Sequence, residues 1–153
     1  MEKDLEVVKL LDKFNIKYRL IKLKDKAVSA KDVIKYSLGD VNFDEIFKTI
    51  IVVDKNRKKY AFLVNHNKML DFNKVRNIVG SKVNLANSDE LKEEGFEPGT
   101  VCPVLVKIPL FVDKELLEFK KFNCGSGDLN YGLEMEVNDL KKVKEYIVVD
   151  VKR

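Results

Sequence analysis

Tryptophan is absent from this 153-residue chain, histidine occurs once, cysteine twice and proline three times. Each scarcity removes a class of chemistry. Two cysteines, Cys102 and Cys124, make neither a disulfide framework nor a four-ligand zinc site. A single histidine, His66, leaves metal ligation and Ser-His-Asp catalysis thinly supplied. The longest apolar runs, such as Ile50-Ile51-Val52-Val53, fall far short of the roughly 18 residues a bilayer span requires. The start, Met1-Glu2-Lys3-Asp4, is charged and lacks the apolar core of a signal peptide, so the expected location is cytoplasmic, with no membrane partner. Charge of one sign does not dominate either. The net charge of +4 permits contact with nucleic acid without demanding it.

What is present describes a folded domain. Apolar residues make up 45% of the chain, enough for a full core in a single domain over residues 1–153. Charged residues, mostly lysine and glutamate, make up 35%, which describes a well-solvated surface and hints at a thermophilic source.

Leu5, Val8 and Leu11 recur at helical spacing and predict a helix over residues 2–14. A short strand over 18–23 follows. Ser29 caps a helix over 31–36, with Asp32 as its capping-box partner. Phe47–Asp54 and Lys59–Asn65, joined by Lys55-Asn56-Arg57-Lys58, form the clearest hairpin. Asp71 and Gly80 bound another helix. A short strand over 83–86, a helix capped by Ser88, strands over 104–108, 110–113, 119–124 and 133–137, a helix capped by Asn138 and a closing strand over 146–151 complete the chain. Strands outnumber helices and include local hairpins, so the fold class is α+β with a mixed sheet.

Gly95-Phe96-Glu97-Pro98-Gly99-Thr100-Val101-Cys102-Pro103 holds two of the seven glycines and two of the three prolines. Proline gives up its donor and glycine admits backbone angles closed to other residues, so this is a constrained loop. It is either a plain connection or one wall of a small-molecule pocket. Lys48 lies inside a predicted strand, where lysine is rarely buried unless paired or working. It either reaches solvent at the strand's end or places a cation in a cleft, to hold a phosphate, a carboxylate or a developing oxyanion. Cys102 reads as a pocket-lining residue more readily than as a nucleophile, because no histidine lies near it in sequence. His66 reads as a surface or packed histidine, with general base as the alternative. The basic tip Lys55, Arg57, Lys58, Lys59 reads as a solvated turn, with phosphate contact as the alternative. Glu134 and Glu136 alternate with Leu133, Met135 and Val137 and share one sheet face.

In order along the chain stand Phe47-Lys48-Thr49-Ile50-Ile51-Val52, Leu70-Asp71-Phe72-Asn73-Lys74-Val75, the spacing Gly95-x-x-x-Gly99-x-x-x-Pro103, then Cys124-Gly125 and Gly132-Leu133-Glu134-Met135-Glu136-Val137. This set resembles the YbaK/prolyl-tRNA synthetase-associated domain family over nearly the whole chain. The resemblance implies an α+β fold with a bifurcated mixed sheet and a small acyl pocket. It implies an aminoacyl-tRNA deacylase that hydrolyses the ester of a mischarged tRNA and uses neither cofactor nor metal. Lys48 matches the family's functional lysine, and Gly99 joins it as a catalytic position. Gly95, Thr100, Val101, Cys102, Pro103, Gly125 and Glu134 fall on substrate-binding positions. Three residues depart from the pattern: Thr100 where a second glycine is common, Cys102 where serine or threonine is usual, and Leu105 where a glycine often follows the proline. All three bear on which amino acid fits.

The expected activity is a trans-acting deacylase for a small amino acid such as cysteine, alanine or serine, on tRNA for proline. Its partners are aminoacyl-tRNA and, as a candidate, prolyl-tRNA synthetase. The rival readings are a non-catalytic module of the same fold that binds aminoacyl-tRNA or an amino acid, and an adaptor to a synthetase.

Overall fold

The structure, a computed structural model, describes residues 2–153. A 3-10 turn, Glu2–Asp4, leads into α1, Glu6–Lys13, which buries Val7, Val8 and Leu11 and ends at Asn15 in the left-handed region. β1, Tyr18–Lys22, follows, then α2, Ala30–Tyr36, capped by the Ser29 hydroxyl, which accepts from the Asp32 N–H. The predicted capping box is incomplete: the Asp32 carboxylate accepts from the Val28 N–H, one residue before the cap.

β2, Phe47–Asp54, and β3, Lys59–Asn65, form the predicted hairpin, in register from Phe47 opposite Asn65 to Val53 opposite Lys59. α3, Phe72–Val79, begins where the Asp71 carboxylate accepts from the Asn73 and Lys74 N–H groups and ends at Gly80, whose φ of 82° the left-handed region reserves largely for glycine. β4 is Val83–Leu85 and α4 is Ser88–Glu93. The cap of α4 is Asn87 rather than Ser88, because Asn87 and Glu90 close a full capping box. After the glycine loop come β5, Leu110–Asp113, a 3-10 turn at Lys114–Glu118, β6, Lys121–Gly125, and β7, Tyr131–Glu136. α5, Val137–Val143, starts directly off β7 with no side-chain cap, so Asn138 does not take the predicted role. β8, Ile147–Val149, closes the order.

The strands form two sheets. One is antiparallel with order β1-β7-β6; the other is mixed with order β4-β2-β3-β5-β8 and parallel pairing of β3 with β5 and of β5 with β8. A single parallel bridge, Ile46 to Asn123, joins them and sets β6 against the start of β2. Both faces of the five-stranded sheet are buried. Phe47, Ile51, Ala61 and Leu63 enter the larger core with α1, whereas Val52, Phe62 and Val64 pack with Val75 of α3. The unbroken β-branched sequence of β2 therefore follows from two apolar sides.

Residues 104–108 form turns rather than the predicted strand. The Leu105 and Val106 N–H groups both turn back to the Cys102 carbonyl, and the Lys144 ammonium donates to the Val106 and Ile108 carbonyls at 2.7 and 3.4 Å. Among the described residues, no helix is long and apolar enough to cross a membrane.

Candidate functional site

A cavity of about 560 Å³ lies where the two sheets meet α2 and the glycine loop. One wall is apolar, with Ile21, Leu23, Ala27 and Val33. The floor is Ile46 and Phe47, both almost fully buried. Gly99, Val101 and Gly125 bring backbone to the edge, and Lys48, Thr49, His66 and Asn123 gather polar side chains on the remaining side, with Asn123 as deeply buried as the floor itself.

The glycines make this geometry possible. Gly99 has φ +86°, and a Cβ built on it would lie 2.6 Å from the Ala27 carbonyl oxygen. A Cβ on Gly125 would lie 2.5 Å from the Val101 oxygen. The segment before α2, the glycine loop and the β6–β7 turn thus stack backbone on backbone at distances no larger residue allows. The Gly127 N–H donates to the Thr100 carbonyl at 2.9 Å and pins the stack. Among the described residues, the N–H groups of Gly99 and Val101 make no hydrogen bond, and both residues line the cavity. Two free donors at a cavity edge are suited to a carbonyl oxygen that gains negative charge.

Lys48 sits on β2 opposite Val64, half-buried. Among the described residues no carboxylate pairs with it, and burial pulls its ammonium below the ordinary lysine value. This is the cleft-facing alternative of the two that its sequence position allowed. His66, one residue past β3, donates its N–H to the Ile46 carbonyl, and its ring lies 4.2 Å from the Phe43 ring. Burial depresses its pKa first. A hydrogen bond to the Phe43 backbone works the other way, and the positive charge of Lys48 lowers it further. The imidazole is therefore neutral at pH 7.

Several buried polar atoms in this corner have no partner: Thr49 Oγ1, His66 Nε2, and both amide atoms of Asn123. Each such atom costs the fold about 1–3 kcal/mol, and Asn123 is only 3% exposed. Asn123 pairs in register with Glu134, which pairs with Arg19, so three polar residues run in a row across the small sheet. Arg19 grips the Glu134 carboxylate through Nε at 3.2 Å and Nη2 at 2.8 Å and holds its pKa below the usual carboxylate range. The Asn123 amide adds slightly to that effect while staying outside hydrogen-bonding geometry.

The sequence-derived residues divide. Lys48, Gly99, Val101 and Gly125 line the cavity together. Gly95, Thr100, Cys102, Pro103 and Glu134 do not. Gly95, with φ +87°, turns the chain out of α4 with open space around it. The Thr100 hydroxyl donates to the Glu97 carbonyl and accepts the Glu97 N–H, which closes the loop on itself. Pro103 is buried behind the loop. Cys102 is fully buried in the larger core, and desolvation pushes its thiol up to about 12, so it neither lines the cavity nor serves as a nucleophile. Glu134 stands one strand away, committed to Arg19. The basic hairpin tip lies outside the cavity, with Lys59 bound to Glu93 and Glu94. Asn123 and Thr49 were not singled out in the sequence as site residues. A polar residue between Phe122 and Cys124 in an apolar strand was the available signal. Among the described residues, no cluster of His, Cys, Asp or Glu is placed to hold a metal ion.

Comparison with known proteins follows the same outline. The family model described as Aminoacyl-tRNA editing domain matches residues 27–143, which takes in every cavity residue except Ile21 and Leu23. A proline–tRNA ligase of Persephonella marina is 28% identical over 104 residues, 67% of this chain, and the chain spans only 18% of that relative's length. The crystal structure of hypothetical protein APE2540 superposes with a TM-score of 0.85 at 30% identity, covering 96% of this chain and 99% of that one. A structure reported as a candidate trans-editing enzyme for prolyl tRNA synthetase gives a TM-score of 0.81 at 24% identity, covering 96% and 94%.

Proposed function

The chain belongs to the aminoacyl-tRNA editing domain family, the YbaK/prolyl-tRNA synthetase-associated group, and from that premise we propose that it is a trans-acting deacylase cleaving the ester between a small amino acid and a tRNA. The observation that carries this reading is Lys48, a half-buried cation with no carboxylate partner among the described residues, on the rim of an apolar cavity edged by free backbone N–H groups.

An aminoacyl ester is already activated, so the protein need not supply a covalent nucleophile. The apolar wall takes the acyl side chain. The Gly99 and Val101 N–H groups receive the carbonyl oxygen as it becomes an oxyanion, and Lys48 neutralises charge there or on the terminal phosphate. Water, activated by a hydroxyl of the tRNA itself, attacks the carbonyl carbon. The ester C–O bond then breaks and the ribose oxygen leaves with the proton. With cysteine as substrate, its own thiol can attack instead. Editing of this kind is needed because an apolar synthetic pocket separates amino acids that differ by one methylene by only about 1–3 kcal/mol.

Cysteine, alanine and serine are the amino acids proposed, on tRNA for proline, and prolyl-tRNA synthetase is the proposed partner. The ligase relative and the trans-editing neighbour support that direction. Action in trans is supported by the likeness to the candidate trans-editing enzyme. The test is release of labelled amino acid from a panel of mischarged tRNAs, with Lys48→Ala in parallel. Release by the wild type and a loss of at least about 100-fold in the variant, the scale of one removed oxyanion contact, is the expected result. Unchanged release in Lys48→Ala would sink the mechanism.

A further inference from the structure

Within the proposed deacylase site, on which this inference rests, the unpartnered atoms of the polar corner carry further information. The cavity changes character with depth. Val28 and Lys31 on the α2 side are exposed, while Ile46, Phe47 and Asn123 are almost fully buried. A tRNA end can reach only the outer part, so the buried floor is left to the acyl side chain.

The floor is not uniformly apolar. Thr49, His66 and Asn123 all line the cavity, and each has a buried polar atom without a partner. Together they offer the Asn123 amide oxygen as acceptor, the Thr49 hydroxyl as donor or acceptor, and the His66 ring nitrogen. Charge is not what they offer. The imidazole and amide are neutral; of the carboxylates around them, Glu134 is held by Arg19 and Lys121, Asp128 accepts the Asn130 N–H, and Asp44 acts on the His66 ring through its charge. The fitting counterpart is a small neutral group that both donates and accepts. A hydroxyl meets this description; a methyl does not, and a thiol does so weakly. We propose that Thr49, His66 and Asn123 form a hydrogen-bonding floor that selects aminoacyl esters with a small side-chain hydroxyl over those ending in a bare methyl. Glu134 is a positioning residue in this arrangement. Fixed by Arg19 and facing Asn123 in register, it biases the amide nitrogen to its own side and leaves the amide oxygen for the ligand.

The energetics favour such a device. A purely apolar pocket cannot strongly prefer serine over alanine, whereas a site with buried polar groups penalises any ligand that leaves them unmatched.

The experiment compares seryl and alanyl esters on one tRNA body, each rate divided by its spontaneous hydrolysis. The wild type is expected to prefer the seryl ester in kcat/KM by about tenfold or more. In Asn123→Leu and in Thr49→Val, which keeps the shape of the side chain, that ratio falls towards one because the seryl rate drops more than the alanyl rate. Equal wild-type rates, or parallel loss of both rates in both variants, would overturn the proposal. Parallel loss would mean that the corner holds something common to both esters, such as a ribose hydroxyl. Binding of non-hydrolysable seryl and alanyl amides of 3′-amino-3′-deoxyadenosine separates this idea from the deacylase reading. Tighter seryl binding without turnover of any ester would retain the selective floor and remove the deacylase, and equal binding would remove the floor.

Discussion

Gly125 and Val101 approach so closely that a methyl carbon on the glycine would sit 2.5 Å from the Val101 carbonyl oxygen. That contact fixes the height of the glycine loop over β6, and so the position of the two free N–H groups at the cavity edge.

Gly125→Ala should therefore damage stability and activity together. The added carbon meets backbone on Thr100 and Val101, which cannot swing away as a flexible side chain would. Overpacking of this kind costs typically 1–3 kcal/mol. Urea unfolding should show a lower midpoint with an unchanged slope, and deacylation should fall further than the stability loss explains.

The single histidine gives a direct electrostatic readout. His66 is depressed by burial and by the charge of Lys48, so its folded pKa lies below its unfolded one. The neutral form then contributes stability that is full above the unfolded pKa, near 6.5, and declines as the pH falls through and below it. One imidazole resonance followed by NMR should titrate below the ordinary value and move upward in Lys48→Ala. A midpoint unmoved by that substitution would contradict the proximity of the two groups.

Neither cysteine should react in the native state. Cys102 is fully buried with its thiol near 12, and Cys124 is also raised by burial. A thiol reagent at pH 8 should modify both only after denaturation. Cys102→Ala should retain deacylation, since the sulfur does not reach the cavity, and should cost stability on the scale of a small core truncation.

Lys144 serves the loop from a distance. Its ammonium holds the Val106 and Ile108 carbonyls, and burial lowers its pKa. Lys144→Met keeps the aliphatic stem and removes the donors. A loss of about 1–3 kcal/mol is expected, with faster amide exchange confined to residues 104–108.

Local chemistry made the β2–β3 hairpin legible: a β-branched run, a polar turn and a second apolar run say the same thing at every position. Asp71 and Gly80 announced α3 in the same way. Residues 104–108 misled because their apolar content suits a strand, while the groups that satisfy their carbonyls come from Lys144, distant in sequence. The site was half legible for a related reason. Glycine spacing marks where backbones must touch, so Gly99 and Gly125 were visible, and Lys48 stood out as a charge in an apolar strand. Thr100 and Cys102 belong to the same loop, but a hydrogen bond back to Glu97 and the packing of the larger core decide which way they face. Asn123 acquires its place only through the bridge to Ile46, which no local pattern encodes.

The pleat of β6 and β7 divides labour between neighbouring positions. Phe122 and Met135 enter the larger core and stay out of the cavity, whereas Asn123, between Phe122 and Cys124, lines it. Heritable change can therefore retune what the floor accepts at Asn123 and leave the packing of its neighbour Phe122 untouched. A combinatorial library confined to positions 49, 66 and 123 should yield folded proteins of altered appetite far more often than one that also varies 122 and 135.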